Sequence, residues 1–280
     1  MPGPVKEATM DALERRAHVI VGGFPKGALQ GHDMDYARLR ILELLEQNEV
    51  LATVGNDFHG VEEYLPETKL LITYLAGPYL TDEQNKKVRG WIKEGGKWLG
   101  LHGSSGGKSA RIAGKGRRMV KASHHDTLGG FFLSHPPVRK FRVDVVDHKS
   151  PLMKDLPDSF ETIDEPYMIE VQHPDETEML LTSELGPDMS PDGWPRNYDE
   201  DTALFPDGKT RALGFTRGIG QGGVTYIALG HAHAPHCQGQ PFVDESVSPD
   251  GVTPPTLRTT WETDAYRQIL QNAVRWGMGE

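Results

Sequence analysis

Histidines close the apolar runs of this chain. His102 follows KWLGL at 97–101, and His231 and His233 follow GGVTYIALG at 222–230. An apolar strand that ends in small residues delivers its last side chains to the rim of a sheet, where a ligand can reach them. A histidine placed there can give or take a proton, ligate a metal, or rest on a nearby carbonyl. His231 and His233 alternate, so an extended segment points both to one side, which suits a divalent metal such as zinc shared with an Asp or Glu. No HExxH pattern accompanies them, and the motif leaves any metal unknown. Cys237, beside His236, is a further candidate ligand or a bystander thiol.

Two neighbouring carboxylates, Asp164 and Glu165, stand directly before Pro166 and an apolar run. If partly buried, such a pair is expected to raise each other's pKa, which serves proton transfer; otherwise they are solvated loop acids. His124 and His125 are adjacent and would diverge on a helix, so structural or surface roles are expected. His18, His59, His148 and His173 sit beside turns or charges and read as surface residues.

The stretch after His102, GSSGGK, admits three readings. A phosphate loop needs another glycine where His102 stands, and a better helix than SARIAGKGRR. A serine-hydrolase elbow is satisfied by Gly103 to Gly107 with Ser105 as nucleophile, although five residues match easily in a chain with 32 glycines. The third reading makes His102 itself the functional group.

These residues need a scaffold, and the pattern supplies one. HVIVGGF at 18–24 reads as a buried first strand, 34–47 as an amphipathic helix, and 50–54 and LLITYL at 70–75 as further strands. Thr81 with Gln84 forms a capping box opening a helix to Gly95, and 97–101 is the fourth strand. Alternation of this kind predicts a parallel sheet with right-handed crossovers and ligands at the carboxyl ends of its strands. His32 and His102 both lie just past such ends and could face one crevice. Further on, 126–135 reads as a helix end, a turn and an aromatic segment. FRVDVV at 141–146 alternates as a half-buried strand, 162–171 brings the two carboxylates beside an extended run, and 179–182 is a short strand. Segments 211–216 and 223–229 form a hairpin, and a helix over 263–277 closes the chain.

The chain can bury one large core, and its apolar runs are unbroken up to 183, so a single domain over 1–280 is expected. Polar insertions at about 186–209 and 238–260 are long enough to be functional or disordered. A net charge of -10 repels a nucleic-acid backbone and an anionic membrane, and KGRRMVK at 115–121 is too short to offset it. One cysteine excludes an internal disulfide and fits a reducing cytoplasm. The start lacks a basic region followed by an apolar one, so a soluble, unexported, cytoplasmic protein is expected.

Four motifs, in order, carry a resemblance: LGLHGSSGG at 99, GGFFLSHPP at 129, DHKSPLMKDLPDSFETIDEPYMIE at 147 and GGVTYIALGHAHAP at 222. Together they resemble the ThuA-like family, named for trehalose utilisation, over a span from His18 to Trp276. The resemblance implies a class I glutamine amidotransferase-like fold, an α/β flavodoxin-like three-layer sandwich with a mainly parallel central sheet. Amidotransferases of that fold carry a nucleophilic cysteine on the strand-to-helix elbow, with a histidine and an acid after the last strand. Here the elbow holds His102 and the late positions match His231 and His233, so glutamine hydrolysis through a thioester is excluded.

By resemblance, His32, Asp33, His102, Gly103, His135, Glu165, Tyr167 and His231 match family motif positions and gather around one pocket. Among them His102 and His231 are expected as the catalytic base and acid pair with Glu165 tuning one of them, and His32, Asp33, Gly103, His135 and Tyr167 as substrate-binding. The implied partner is a small-molecule carbohydrate, trehalose or a related disaccharide handled through 3-keto sugars, and the implied activity a sugar or keto-sugar isomerase, lyase or hydrolase. A non-catalytic sugar-binding or partner protein and a metal-dependent hydrolase are the alternatives, and a homo-oligomer stays open. Phe215 stands where similar sequences often place tryptophan, and the insertions would remodel the pocket rim.

Overall fold

Short aliphatic and β-branched runs separated by amphipathic helices dominate the first half of the chain, and in the computed structural model they assemble as a parallel sheet. Residues 15–22, 31–114, 116–237 and 243–280 are described. The first half runs β1 (Arg16–Gly22), α1 (Met34–Gln47), β2 (Leu51–Gly55), α2 (Val61–Tyr64), β3 (Leu70–Leu75), α3 (Asp82–Lys93) and β4 (Lys97–Leu101). A hairpin of β5 (Ser109–Ile112) and β6 (Gly116–Met119) follows, then α4 (Ser123–Leu128), β7 (Gly130–Ser134), β8 (Arg139–Val145), β9 (Ser159–Asp164), β10 (Met168–Val171) and β11 (Glu178–Glu184). The chain ends with β12 (Arg196–Asn197), β13 (Thr210–Ile219), β14 (Gly222–Ile227), α5 (Thr259–Glu262) and α6 (Asp264–Met278).

The central sheet has nine strands in the order β2-β1-β3-β4-β14-β13-β11-β8-β9. From β2 to β14 all neighbours are parallel, and from β14 onward they are antiparallel. Side chains of alternating strand residues show how it is covered. Lys97 on β4 lies under Trp276 of α6, whereas Gly100, of opposite parity, faces Leu128 of α4. Helices therefore cover both faces, and the flavodoxin-like α/β sandwich is the fold observed.

The local signals act where the sequence places them. Asp33 caps α1, whose Ala37, Ile41 and Leu45 are buried, and the Thr81–Gln84 capping box opens α3 over buried Val88 and Ile92. β1 ends at Gly22; the expected continuation through 23 and 24 lies outside the described residues. The insertion at 186–209 is ordered enough to pair β12 with β6. In the second insertion, 238–242 lie outside the described residues, Val243 bridges to Val138, and the stretch ends in α5. Among the described residues no helix is long and apolar enough to cross a membrane.

His18 departs from expectation: it is buried, its ring stacked on Tyr64 and its Nδ1 2.7 Å from the Thr53 hydroxyl. Its exposure is decided by Tyr64 and Thr53, which come from other segments, and not by the charges of Arg15 and Arg16 beside it in sequence.

Two outcomes test this packing. Burial lowers the His18 pKa to about 4. The unfolded chain, with a histidine near 6.5, therefore binds more protons between those values. Stability is fully present above pH 6.5 and falls as the pH drops toward 4. His18→Phe, which keeps a ring on Tyr64, is expected to flatten that part of the acid limb in urea unfolding curves. At the β13–β14 turn, a Cβ on Gly222 would stand 2.1 Å from the Gly96 carbonyl and 2.2 Å from that of Ile92. Gly222→Ala is expected to cost about 3 kcal/mol by the same measurement, and Gly218→Ala, where a Cβ meets nothing, no more than about 0.5 kcal/mol.

Candidate functional site

The carboxyl end of β4 is built as a sharp elbow. His102, the first residue past the strand, has φ +44°, a conformation that costs a non-glycine residue energy and persists only where the surroundings enforce it. The enforcement is visible. Gly103 lies so close to β3 that a Cβ would stand 1.9 Å from the Leu75 carbonyl oxygen, so no other residue fits. The Tyr226 hydroxyl donates to the His102 carbonyl at 2.8 Å, and Ser105 Oγ lies 2.7 Å from the same tyrosine oxygen. Ser104 Oγ donates to the Thr73 carbonyl at 2.8 Å.

These contacts dispose of two readings. Ser105 Oγ is engaged with Tyr226 and the His102 carbonyl, and among the described residues no imidazole hydrogen-bonds to it to take its proton, which argues against a hydrolase nucleophile. Past Gly107 the chain enters β5, not a helix, so no phosphate-binding helix terminus forms.

The His102 imidazole lies between Tyr74 and Tyr167, stacked on both at centroid distances of 5.8 and 4.2 Å. Its Nδ1 is 2.8 Å from the Ala228 carbonyl, which can only accept, so Nδ1 carries a proton. The opposite nitrogen, Nε2, faces Glu165 Oε2 at 3.2 Å and His32 Nε2 at 3.0 Å. Glu165 is the hub. Its Oε1 is 3.2 Å from His231 Nδ1 and 3.8 Å from His135 Nε2, and its Oε2 is 3.8 Å from His32 Nε2. His32, His102, His135, Glu165, Tyr167 and His231, spread over 200 positions of sequence, thus meet around one carboxylate at the end of the sheet.

The remaining expected residues lie beside this cluster with other partners. Asp33 accepts from the Tyr36 amide as the α1 cap and pairs with Arg258 at 2.6 Å. His233 is not a second ligand next to His231. Its Nε2 donates to the Pro254 carbonyl and its Nδ1 accepts from His231 Nε2, both at 2.8 Å, so it stands behind His231. His236, near Asp33, and Cys237 lie apart from the hub. His124 and His125, expected to diverge in structural or surface roles, are buried in a structural one and converge on the Gly106 carbonyl at 2.9 Å each. The short α4 turns both rings inward, because the Ala122 amide donates to His125 Nδ1.

Asp164 and Glu165 are fully buried, which rejects the solvated-loop reading, and they do different work. Asp164 accepts from the amides of Glu165, Gly230 and His231 and from the Thr260 hydroxyl, at 2.5 to 3.0 Å. It ties the end of β9 to the loop after β14 and to α5. Sequence reading missed this bracket, and it also missed three residues near the hub. Tyr74 looked like core inside LLITYL. Trp194, edge-on to His135 at 5.7 Å, and Arg196, whose charge reaches His32 and His135, come from the 186–209 insertion. An aromatic and an arginine together in WPRN, within an otherwise polar loop, were the available signal. A surface cleft of 740 Å³ beside β8 and β11 is lined by Arg139, Lys140 and Arg142 among others and shares no residue with the hub. Convergence of buried polar groups, not cleft size, marks the site.

A family model described as ThuA, trehalose utilisation, matches residues 5–244. The chain belongs to the ThuA family. A ThuA-like protein from Bacteroides uniformis superposes with a TM-score of 0.61 at 18% identity, covering 98% of this chain and 95% of that one. A ThuA-like protein from Parabacteroides merdae gives 0.57 at 16% identity over 94% and 90%. A protein of Salmonella typhimurium described as cytoplasmic gives 0.51 at 11% identity over 94% and 98%. At these identities the likeness is one of fold. No curated protein matches the sequence.

In this ThuA-family chain the electrostatics separate the two acids, contrary to the expectation that they raise each other. Burial pushes the Asp164 carboxyl up, opposed by the charge of His102 and by its own donors. Burial also works against charging Glu165, but the imidazoles of His135, His231 and His102 around it outweigh burial and hold Glu165 well below the usual range. Among the histidines, burial lowers His32 and His135 and takes His231 down to about 3. His102 is also desolvated, yet its contact with Glu165, the nearby Asp164 and the Ala228 carbonyl raise its pKa. The shifts favour the charged form of His102 against the Glu165 carboxylate and the neutral form of the rings around them.

The Asp164 bracket makes a direct test. Asp164→Asn puts an amide donor against N–H groups and is expected to cost about 3 kcal/mol in urea unfolding. Thr260→Val, which removes a single donor, should cost about 1 to 2 kcal/mol.

Proposed function

We propose that this protein is an enzyme of carbohydrate metabolism that acts on a disaccharide such as trehalose, or on its 3-keto form, through histidine and carboxylate acid–base chemistry. The observation that carries the reading is the hub itself. A buried carboxylate ringed by four imidazoles at the end of a sheet is costly for folding, and such clusters are characteristic of functional sites. Membership of a family named for trehalose utilisation supplies the substrate class.

A ketone two carbons from the glycosidic carbon acidifies the intervening C–H. A base takes that proton, the electron pair moves to expel the glycosidic oxygen, and an acid protonates the departing oxygen. His231 suits the base, because its Nε2–H is committed to His233 and Nδ1 presents a lone pair. His102 suits the acid, because it holds a proton beside Glu165, whose charge keeps it there. His32, the most accessible of the ring nitrogens, with His135 and the Tyr167 hydroxyl, would hold sugar hydroxyls. Asp33 would act through Arg258, which it already binds, and Gly103 by permitting the elbow.

Disaccharides and their 3-keto forms, assayed as a panel with products followed by mass spectrometry, test the reading. His102→Ala, Glu165→Gln and His231→Ala are each expected to lower kcat/KM by about a hundredfold or more. Wild-type rates in all three would overturn the assignment, and saturable binding without any product would point instead to a sugar-binding protein.

A further inference from the structure

We propose that His32 Nε2, His102 Nε2, His231 Nδ1 and the Glu165 carboxylate form a binding site for one first-row divalent cation, such as zinc or manganese. These four donor atoms lie within 4.8 Å of one another. The separations are 3.0 Å between His32 and His102, 3.2 Å from His102 and 3.8 Å from His32 to Glu165 Oε2, and 3.2 Å from His231 to Glu165 Oε1. A cation about 2.0 to 2.2 Å from each donor requires neighbouring donors roughly 3.0 to 3.6 Å apart, so the cage needs only small adjustments.

The second observation is the direction in which the lone pairs point. His102 donates its far N–H to the Ala228 carbonyl. His231 donates its far N–H to His233, whose own tautomer is set by the Pro254 carbonyl. Each ring is therefore locked with its other nitrogen turned inward, bare in His231 and in His102 available once its second proton is released to an incoming cation, the arrangement by which outer partners orient metal-ligating histidines. His231 Nδ1 is fully buried and has no hydrogen-bond partner among the described residues; it faces an oxygen that also carries lone pairs. Lone pair against lone pair at 3.2 Å is repulsive unless a proton or a cation lies between. A single proton can serve only one of these contacts at a time, whereas one cation serves all of them. Three imidazole nitrogens and a carboxylate suit zinc, manganese, iron, cobalt or nickel rather than magnesium or calcium. His32, partly accessible to solvent, gives the route of entry.

The site stands on this geometry and does not depend on the acid–base reading. With the cation bound, His102 and His231 are ligands, and the cation would polarise the substrate oxygen that the acid otherwise protonates.

Protein stripped with chelator and dialysed against Zn²⁺, Co²⁺ or Mn²⁺ is expected to retain one equivalent of at least one of them, by elemental analysis and by calorimetry. Glu165→Gln and His231→Ala are expected to lose it. His233→Ala, which unlocks the His231 tautomer, should weaken binding about ten- to a hundredfold with stoichiometry unchanged. His236→Ala, outside the cage, should bind as wild type and keep the Co²⁺ absorption spectrum. Failure of the wild-type protein to bind any of the three, or unchanged affinity in both Glu165→Gln and His231→Ala, overturns the site. One bound equivalent without turnover of any sugar sustains the site and overturns the enzyme reading. Full turnover by chelated protein that binds no cation does the reverse.

Discussion

Asp164 is the residue on which the site depends. Its two oxygens accept from three backbone amides and a threonine hydroxyl, and those donors belong to β9, the loop after β14, and α5. One buried charge thereby sets the relative positions of Glu165, the next residue in sequence, and His231, whose own amide is one of the donors. Burying a carboxylate is unfavourable unless donors surround it, and here they come from segments that must be aligned for the hub to exist. Losing this bracket would leave Glu165 and His231 as two loop residues with no fixed distance between them.

The second constraint is the elbow at His102. A parallel strand buried between two others can deliver a side chain only at its end, and the chain must then turn at once. Gly103 makes the turn possible by its missing Cβ, while Tyr226 and Ser105 hold the His102 carbonyl and Tyr74 and Tyr167 fix the ring. The serines and glycines of this stretch serve the backbone, and the imidazole is the chemical group. The contrast between the acids follows from the same geometry: Asp164 meets mainly amides and a hydroxyl, and Glu165 meets imidazoles.

Much of the fold was legible because its signals are local. The 34–47 helix, the strands at 70–75 and 97–101, and the Thr81 cap occur with the expected limits, since apolar period and capping chemistry act within a few residues. Burial was less legible. His18 looked like a surface residue from its neighbours, and His124 and His125 could have been surface or structural, yet all three lie inside, because burial of a polar ring is decided by partners such as Thr53 or the Gly106 carbonyl from other segments.

Sequence by itself determined the alternation of strands and helices, the end of β4 as the place for chemistry, and the family, through ordered motifs that need no coordinates. Tertiary structure alone decided the roles within the site. His233 became a support for His231, Asp164 a bracket instead of a partner in acid–base work, Ser105 a backbone prop, and Trp194 and Arg196 neighbours of the hub. Roles of this kind depend on which nitrogen faces which oxygen at about 3 Å. Distances on that scale between residues such as His32 and His231 are fixed by sheet order and packing, and no spacing along the chain encodes them.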